Sequence, residues 1–361
     1  MRTQIPFAVL AVAFACTFRH RAGPCARPLV IPGVMTLRTL AAAQAFSEAQ
    51  VKAARKPTGF GDILRTLAKL PLVVVALAAV LAPARSYAQK YVSALGSGTV
   101  CTSASPCGFI STAAGDIGPD VGRIICLNGN AGGDSFVASY GGGVTLEIDC
   151  PLGSVQQMNI SGVGVTLRIR HLTVNGGSGL TFQAGGTLIL EDCIFTESSS
   201  AGIAIQPSAP LNVVIKSSRI SNNLSGMLLK PAAGGSIKAT FDHVTITGNS
   251  GGGIKTDSTN GTVNLDVTDS EISNNASNGI NLVGSATQNM LNLSRTVIAK
   301  NGLAGVQANG ANAAALVDTT LFDTNASGAT SSIAGGHILT YGNNRIVGSP
   351  GSGFTTSALL Q

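Results

Sequence analysis

Two series of charged residues recur through the middle of this sequence and are its clearest candidates for chemistry. Members of the first series alternate in sign: Asp149, Arg170, Glu191, Lys216 and Asp242. A second series is displaced by one residue and extends further: His171, Asp192, Ser217, His243, Asp269 and Arg295. Histidine and carboxylate side chains in such a series can bind metal ions or exchange protons.

Two interpretations of these series remain open. If the repeats stack as neighbouring coils about 4.8 Å apart, opposite charges face each other and form a ladder that sets the register. Exposed ion pairs contribute only about 0–1 kcal/mol each, so the effect would be on specificity of stacking. The alternative is metal binding or acid/base work by His171, Asp192 and His243, but Ser217 separates them. The structural ladder is therefore favoured, and the sequence predicts no metal site.

The spacing of the two series belongs to a repeat of 21 to 26 residues. An anchor position carries Val174, Phe195, Ile220, Ile246, Ile272, Ile298, Phe322 and Ile346. Three residues after it an Asn recurs, at Asn223, Asn249, Asn275, Asn301 and Asn325. Apolar pairs precede the anchor by seven and five residues, from Leu146/Ile148 and Leu167/Ile169 to Leu339/Tyr341. Alternation with period two is the signature of short strands.

Each repeat therefore predicts three strands and three turns. The third strand follows the Asn and usually opens with Gly, as in Gly226-Met227 and Gly253-Ile254. A single coil cannot bury its apolar side alone, so stacking forms the core. The recurring Asn can tolerate left-handed backbone at a turn and bond to its stacked neighbour. The fold class predicted is all-β, a right-handed parallel β-helix of about 8–9 coils over residues 141–350.

The stretches ISNNLSGMLL, ITGNSGGGIKT and ISNNASNGINL resemble the parallel β-helix repeats of the pectin lyase-like superfamily. The resemblance implies that ligands lie along the sheet of Gly-Ile strands. Its outward polar residues here would be Lys230, Lys255, Asp257, Asn281 and Gln307. One interpretation is a shallow polysaccharide site, with lysines pairing with acidic sugars. The other is a solvated strand face with no ligand.

Catalysis on that face is disfavoured by its composition. Hydrolases of glycosides need two carboxylates at a working distance, and calcium takes six to eight oxygen ligands. Asp257 is the one carboxylate in the set. The sequence thus predicts no catalytic residues and no cofactor, with calcium needed only if the protein is a lyase. Cys193 falls at an inward position and is expected to be a buried thiol.

Charge and leader pattern indicate export. Residues 1–88 hold 11 of the 23 Lys and Arg and only two acids, giving +9, and residues 89–361 hold 12 bases and 15 acids, giving −3. The mature region is thus too acidic to suggest nucleic-acid binding. A basic segment, a short apolar run and small residues before Gln89 form a signal-peptide-like segment at about 62–88. A membrane anchor in the leader is the alternative, and no integral membrane domain is predicted in the mature chain.

The cysteines agree with an oxidising compartment. Cys101 and Cys107 suit a small disulfide loop, and Cys126 and Cys150 lie about one repeat apart and could bridge coils. Residues 89–140 are expected to form an N-terminal cap with the first coil, and residues 351–361 a tail. A weakly covered rear end leaves self-association open. The function predicted is an exported binding or surface protein that contacts polysaccharide or a cell-surface component; a lyase, hydrolase or epimerase is the alternative.

Overall fold

The computed structural model describes residues 88–117 and 121–357, and the leader predictions lie outside these ranges. The described chain winds through about nine turns of a parallel solenoid. Each turn contributes strands to three sheets, and all strand pairs between coils are parallel. This confirms the all-β parallel β-helix predicted from the repeat.

The first sheet stacks the longer strands of each coil. Its members are β1 (Ala88–Val92), β2 (Val121–Cys126), the starts of β4 (Thr145–Gly162) and β5 (Val165–Phe182), β6 (Gly186–Glu191), β9 (Pro210–Lys216), β12 (Ser236–Asp242), β15 (Val263–Thr268), β18 (Asn289–Ser294), β21 (Ala313–Asp318), β24 (His337–Thr340) and β26 (Thr356–Ser357). β4 and β5 continue through all three sheets.

The second sheet is formed by three-residue strands that carry the anchor. They are β7 (Ile194–Thr196), β10 (Arg219–Ser221), β13 (Thr245–Thr247), β16 (Glu271–Ser273), β19 (Val297–Ala299), β22 (Leu321–Asp323) and β25 (Arg345–Val347). The third sheet contains β3 (Ser135–Tyr140), β8 (Ala201–Ile205), β11 (Ser225–Leu229), β14 (Ile254–Asp257), β17 (Ile280–Val283), β20 (Val306–Asn309) and β23 (Thr330–Ile333).

The anchor residues form one continuous inward column. Val174 pairs with Phe195, Phe195 with Ile220, and the register continues to Ile346. All but Ile346 are at most 2% exposed. Alternate residues of each strand therefore enter a single apolar core, as the period-two pattern predicts.

The last copy of the apolar pair is one residue out of place. The sequence assigns Leu339 and Tyr341 to the inward positions, but Ile338 pairs with Ala315 and is fully buried. Four residues separate Thr340 from Arg345, whereas three separate their register partners Val317 and Leu321, and Gly342 adopts φ +81° in the longer turn. The extra residue restores the register at Arg345, so the prediction for this copy is wrong.

The corner between the first and second sheets has a left-handed residue in every coil from β5 onwards. The second charged series occupies it in six successive coils, with φ between 46° and 55°: His171, Asp192, Ser217, His243, Asp269 and Arg295. We call these six residues the corner column. A residue in this conformation turns the chain and shifts the inward–outward alternation by one residue between the first and second strands of each coil.

The Asn column lies at the next turn and is buried. Asn223, Asn249, Asn275, Asn301 and Asn325 stack so that each Nδ2 donates to the Oδ1 of the next, at 2.8–3.1 Å. The same Nδ2 atoms reach backbone carbonyls such as Ile246 O. Their backbone is not left-handed, against the prediction; the preceding residue is, as at Asn222 and Asn274. The Asn side chain points inward because its neighbour makes the turn.

The first end of the solenoid is covered by the segment between β1 and β2. The Cys101–Cys107 loop pairs with the free edge of β1, since Tyr91 N donates to Cys101 O and Cys107 N donates to Tyr91 O. Helix α1 (Ile110–Ile117) packs its apolar side against the core. Its N-terminus is capped by buried Asp134, which accepts from the Ile110 and Ser111 amides. The exposed edge is thereby blocked.

The second disulfide, Cys126–Cys150, joins two adjacent coils. Both predicted disulfides are therefore present. At the other end, residues 349–357 add partial pairing to β23 and β24. In the described ranges, no helix has the length and apolar character needed to cross a bilayer.

Candidate functional site

The outer surface of the third sheet, here called the third-sheet face, carries the five residues singled out from the resemblance. Lys255, Asn281 and Gln307 occupy one register column on adjacent coils. Their neighbours Ile254, Ile280 and Val306 are buried, so the alternation points these three outward. Lys230 and Asp257 lie two residues further along their coils.

Asp257 is held more tightly than a surface carboxylate. It is 7% exposed, and its Oδ2 lies 3.1 Å from Lys230 Nζ. Its Oδ1 accepts from the Thr259 amide at 3.0 Å and the Thr259 hydroxyl at 2.6 Å. Burial alone would raise the pKa of Asp257, but these hydrogen bonds and the Lys230 charge together lower it. Asp257 is therefore an ionised, fully partnered group.

The column of Lys255, Asn281 and Gln307 has fewer internal contacts than Asp257. Lys255 is exposed, and Gln307 accepts from Asn278 Nδ2 and donates to Ser331 Oγ, both at 3.3 Å. The Oδ1 of Asn281 is buried and has no hydrogen-bond partner. This column offers one ammonium and two amides at coil spacing, which suits hydrogen bonding to a chain of hydroxyl or carboxylate groups.

The alternating charged series forms one register column on the first sheet. Asp149 pairs with Arg170, Arg170 with Glu191, Glu191 with Lys216 and Lys216 with Asp242. Within residues 121–357, the Arg–carboxylate pairs of this column lie in its first half, where Arg170 Nε lies 3.0 Å from Glu191 Oε2 and Arg170 Nη1 3.0 Å from Glu147 Oε1. Among the described residues Lys216 has no ion pair, and Asp242 pairs with His243 instead.

A second charged column lies beside it, and its residues belong to neither of the two series read from the sequence. Arg123, Glu147 and Arg168 are register neighbours two residues earlier in the same strands. Arg168 Nη2 lies 2.7 Å from Glu191 Oε2, and Arg123 Nη2 3.3 Å from Asp149 Oδ2. Residues two apart in a strand share a face, so the charged residues spaced by two in LEID and LRIR could have predicted this second column. Burial would raise the Glu191 pKa, but Arg168 and Arg170 lower it overall.

The corner column separates into two halves. His171 Nδ1 lies 2.9 Å from Asp149 Oδ1 and its Nε2 3.8 Å from Asp192 Oδ2, so the ring lies between two carboxylates. Further along, Asp242, His243 and Asp269 have ligand atoms within 4.8 Å of one another. Arg295 binds both oxygens of Asp269, at 2.9 and 2.7 Å. The sequence trio of His171, Asp192 and His243 is not brought together.

Cys193 is a buried free thiol, as predicted. Burial raises its pKa to about 11, and its Sγ lies 3.2 Å from the Glu191 carbonyl. A protonated thiol in that position is a poor nucleophile.

Two shallow notches open on the described surface. One, about 430 Å³, lies at the Asn-column turn, where Gly248 lacks a side chain beside Asn222 and Leu224. The other, about 520 Å³, lies at the corner column between His243, Asp269 and Glu271. Neither is a deep cleft of the kind that encloses a small ligand.

Comparisons with known proteins bear on the fold. Residues 127–266 match the family model described as a right handed beta helix region. Among solved structures, the crystal structure of pectate lyase Pel9A is similar, with 15% identity, a TM-score of 0.47, and coverage of 71% of this chain and 75% of that chain. No curated protein matches the sequence. The resemblance to right-handed parallel β-helix repeat proteins is confirmed at the level of the fold.

Proposed function

We propose that this right-handed parallel β-helix is an exported, non-catalytic binding protein whose third-sheet face contacts an acidic polysaccharide. The observation that carries the proposal is the column of Lys255, Asn281 and Gln307, which lie in register on three adjacent coils. A linear polymer that runs along the solenoid axis would meet a polar group at every coil, about 4.8 Å apart.

Binding is favoured over catalysis by the state of Asp257. Both of its oxygens already have partners, Lys230 on one side and Thr259 on the other. A general base needs a lone pair directed at the substrate proton, and a nucleophile needs the same. The carboxylate instead pairs with the Lys230 ammonium, whereas Lys255 is exposed and has no ion pair among the described residues, so Lys255 is the cation proposed to meet a sugar carboxylate.

Export is supported by the two disulfides. Cys101–Cys107 and Cys126–Cys150 both hold the first coils, and such bonds persist in oxidising compartments. The signal-peptide-like pattern at about 62–88 agrees with this, and together they support a cell-surface, periplasmic or secreted location.

The test is a melting-temperature shift of the purified protein against pectin, polygalacturonate and alginate, each with and without calcium. We expect a rise with at least one acidic polymer that is lost in Lys255→Ala. Lys238→Ala is the matched control, because Lys238 is an exposed lysine on the first sheet. No shift with any polymer, or equal loss in both variants, would overturn the proposal. Release of unsaturated or reducing ends from a polymer would support the enzyme alternative.

A further inference from the structure

A group of three potential metal ligands lies at the corner column, away from the third-sheet face. His243 and Asp269 hold the same left-handed position in adjacent coils, with φ of 54° and 49°. Asp242 is the last residue of β12 and directly precedes His243. Among the described residues, this is the one group of three or more His, Cys, Asp or Glu whose ligand atoms converge within 4.8 Å.

We propose that Asp242, His243 and Asp269 form a surface site for a divalent transition-metal ion of the zinc class. Zinc accepts imidazole nitrogen and carboxylate oxygen together, at about 2.0–2.2 Å. Calcium and magnesium prefer oxygen ligands, so the imidazole selects against them. Three protein ligands leave one or more positions for water.

The surroundings supply space and charge. The notch of about 520 Å³ opens beside His243 and Asp269, and Glu271 lines it as well. Asp269, Glu271 and Arg295 line this notch, and Asp242 completes a group of three carboxylates and one guanidinium. With the imidazole neutral, the formal charge of this group is −2, which a divalent cation would neutralise.

Two contacts must change when an ion binds. His243 Nδ1 lies 2.7 Å from Asp242 Oδ1, a hydrogen bond that requires a proton on Nδ1 for the carboxylate to accept. An ion that binds Nδ1 takes the place of this proton, which moves to Nε2. Arg295 occupies both Asp269 oxygens and must yield at least one of them. Arg295 therefore competes with the ion, and removing it should strengthen binding.

His171 offers a matched control within the same column. It has the same backbone conformation and also lies beside two carboxylates, Asp149 and Asp192. Its two nitrogens face different carboxylates, so the ligand atoms do not converge on one point. The prediction of no metal site rested on the trio His171, Asp192 and His243; Asp269, from the next coil, is the ligand that this trio omits.

The test is calorimetric titration of the tag-free full-length protein with Zn²⁺, and with Co²⁺ followed by visible absorption. We expect a saturable site whose Kd rises at least tenfold in His243→Ala and in Asp269→Asn, falls in Arg295→Gln, and is unchanged in His171→Ala. Thermal melts establish that each variant is folded. No saturable binding at millimolar zinc, wild-type affinity in His243→Ala, or equal weakening in His171→Ala would overturn the proposal.

Discussion

The guanidinium of Arg170 joins two adjacent coils, because its Nε donates to Glu191 Oε2 at 3.0 Å. The same oxygen also accepts from Arg168 at 2.7 Å. Glu191 thus balances two arginines of the coil before it. The carboxylate offsets the repulsion between the two guanidinium groups, which lie on the same strand face.

Reversing this charge should loosen the stack. In Glu191→Lys, two arginines meet an ammonium in place of a carboxylate, and we expect about 1–2 kcal/mol less stability, seen as a lower Tm. Lys216→Ala is the control, because Lys216 shares the column but lacks an ion pair among the described residues. An unchanged Tm in Glu191→Lys would show that the ladder has no structural role.

The buried Asn column should be far more sensitive than its surface neighbours. Asn275→Ala removes the acceptor of the Asn249 amide side chain and one donor to the Ile246 carbonyl. Buried groups left without partners cost about 1–3 kcal/mol each, so we expect a loss of about 2–4 kcal/mol in a denaturant titration. Asn274→Gly keeps the left-handed turn next to it and should change stability little. Equal effects at both positions would contradict a special role for the column.

How far the fold could be predicted depended on how strictly each feature repeats. The anchor column recurs in every coil, so its register followed from spacing alone. The prediction of the last apolar pair was wrong because a single extra turn residue before Arg345 places Ile338 and Thr340, instead of Leu339 and Tyr341, at the buried positions. Spacing measured from the anchor cannot detect an insertion that lies between the pair and the anchor.

For the candidate sites, the sequence predicted which residues share a column but not which side chains contact each other. The sequence series identified Asp242, His243 and Asp269 as column members, but their convergence depends on side-chain directions. Asp257 was expected as an outward group, yet Thr259 folds back over it and leaves it 7% exposed. Contacts made by a turn residue two positions away do not follow from strand alternation.

Asp257 should contribute stability that depends on pH. Its folded-state pKa is lowered, against the burial that would raise it, by hydrogen bonds from Thr259 and by Lys230. The contribution is therefore present above the unfolded pKa of about 3.9 and is lost as pH falls through the lower folded value. We expect the wild-type protein to melt higher than Asp257→Asn at pH 6, with the gap closing below about pH 4. A gap that stays constant from pH 6 to pH 2 would contradict this assignment.

Gly253, which directly precedes the third-sheet strand β14, should resist even the smallest side chain. A Cβ at Gly253 would lie 2.5 Å from Gly279 O and 3.1 Å from Asn275 Nδ2, so backbone of the next coil and the Asn column must both move. We expect Gly253→Ala to lose about 1–3 kcal/mol, measured by chemical denaturation. Gly132→Ala is the control, because a Cβ there meets no atom within 4 Å. If Gly253→Ala were as stable as Gly132→Ala, close approach between coils would not be the reason for glycine at this position.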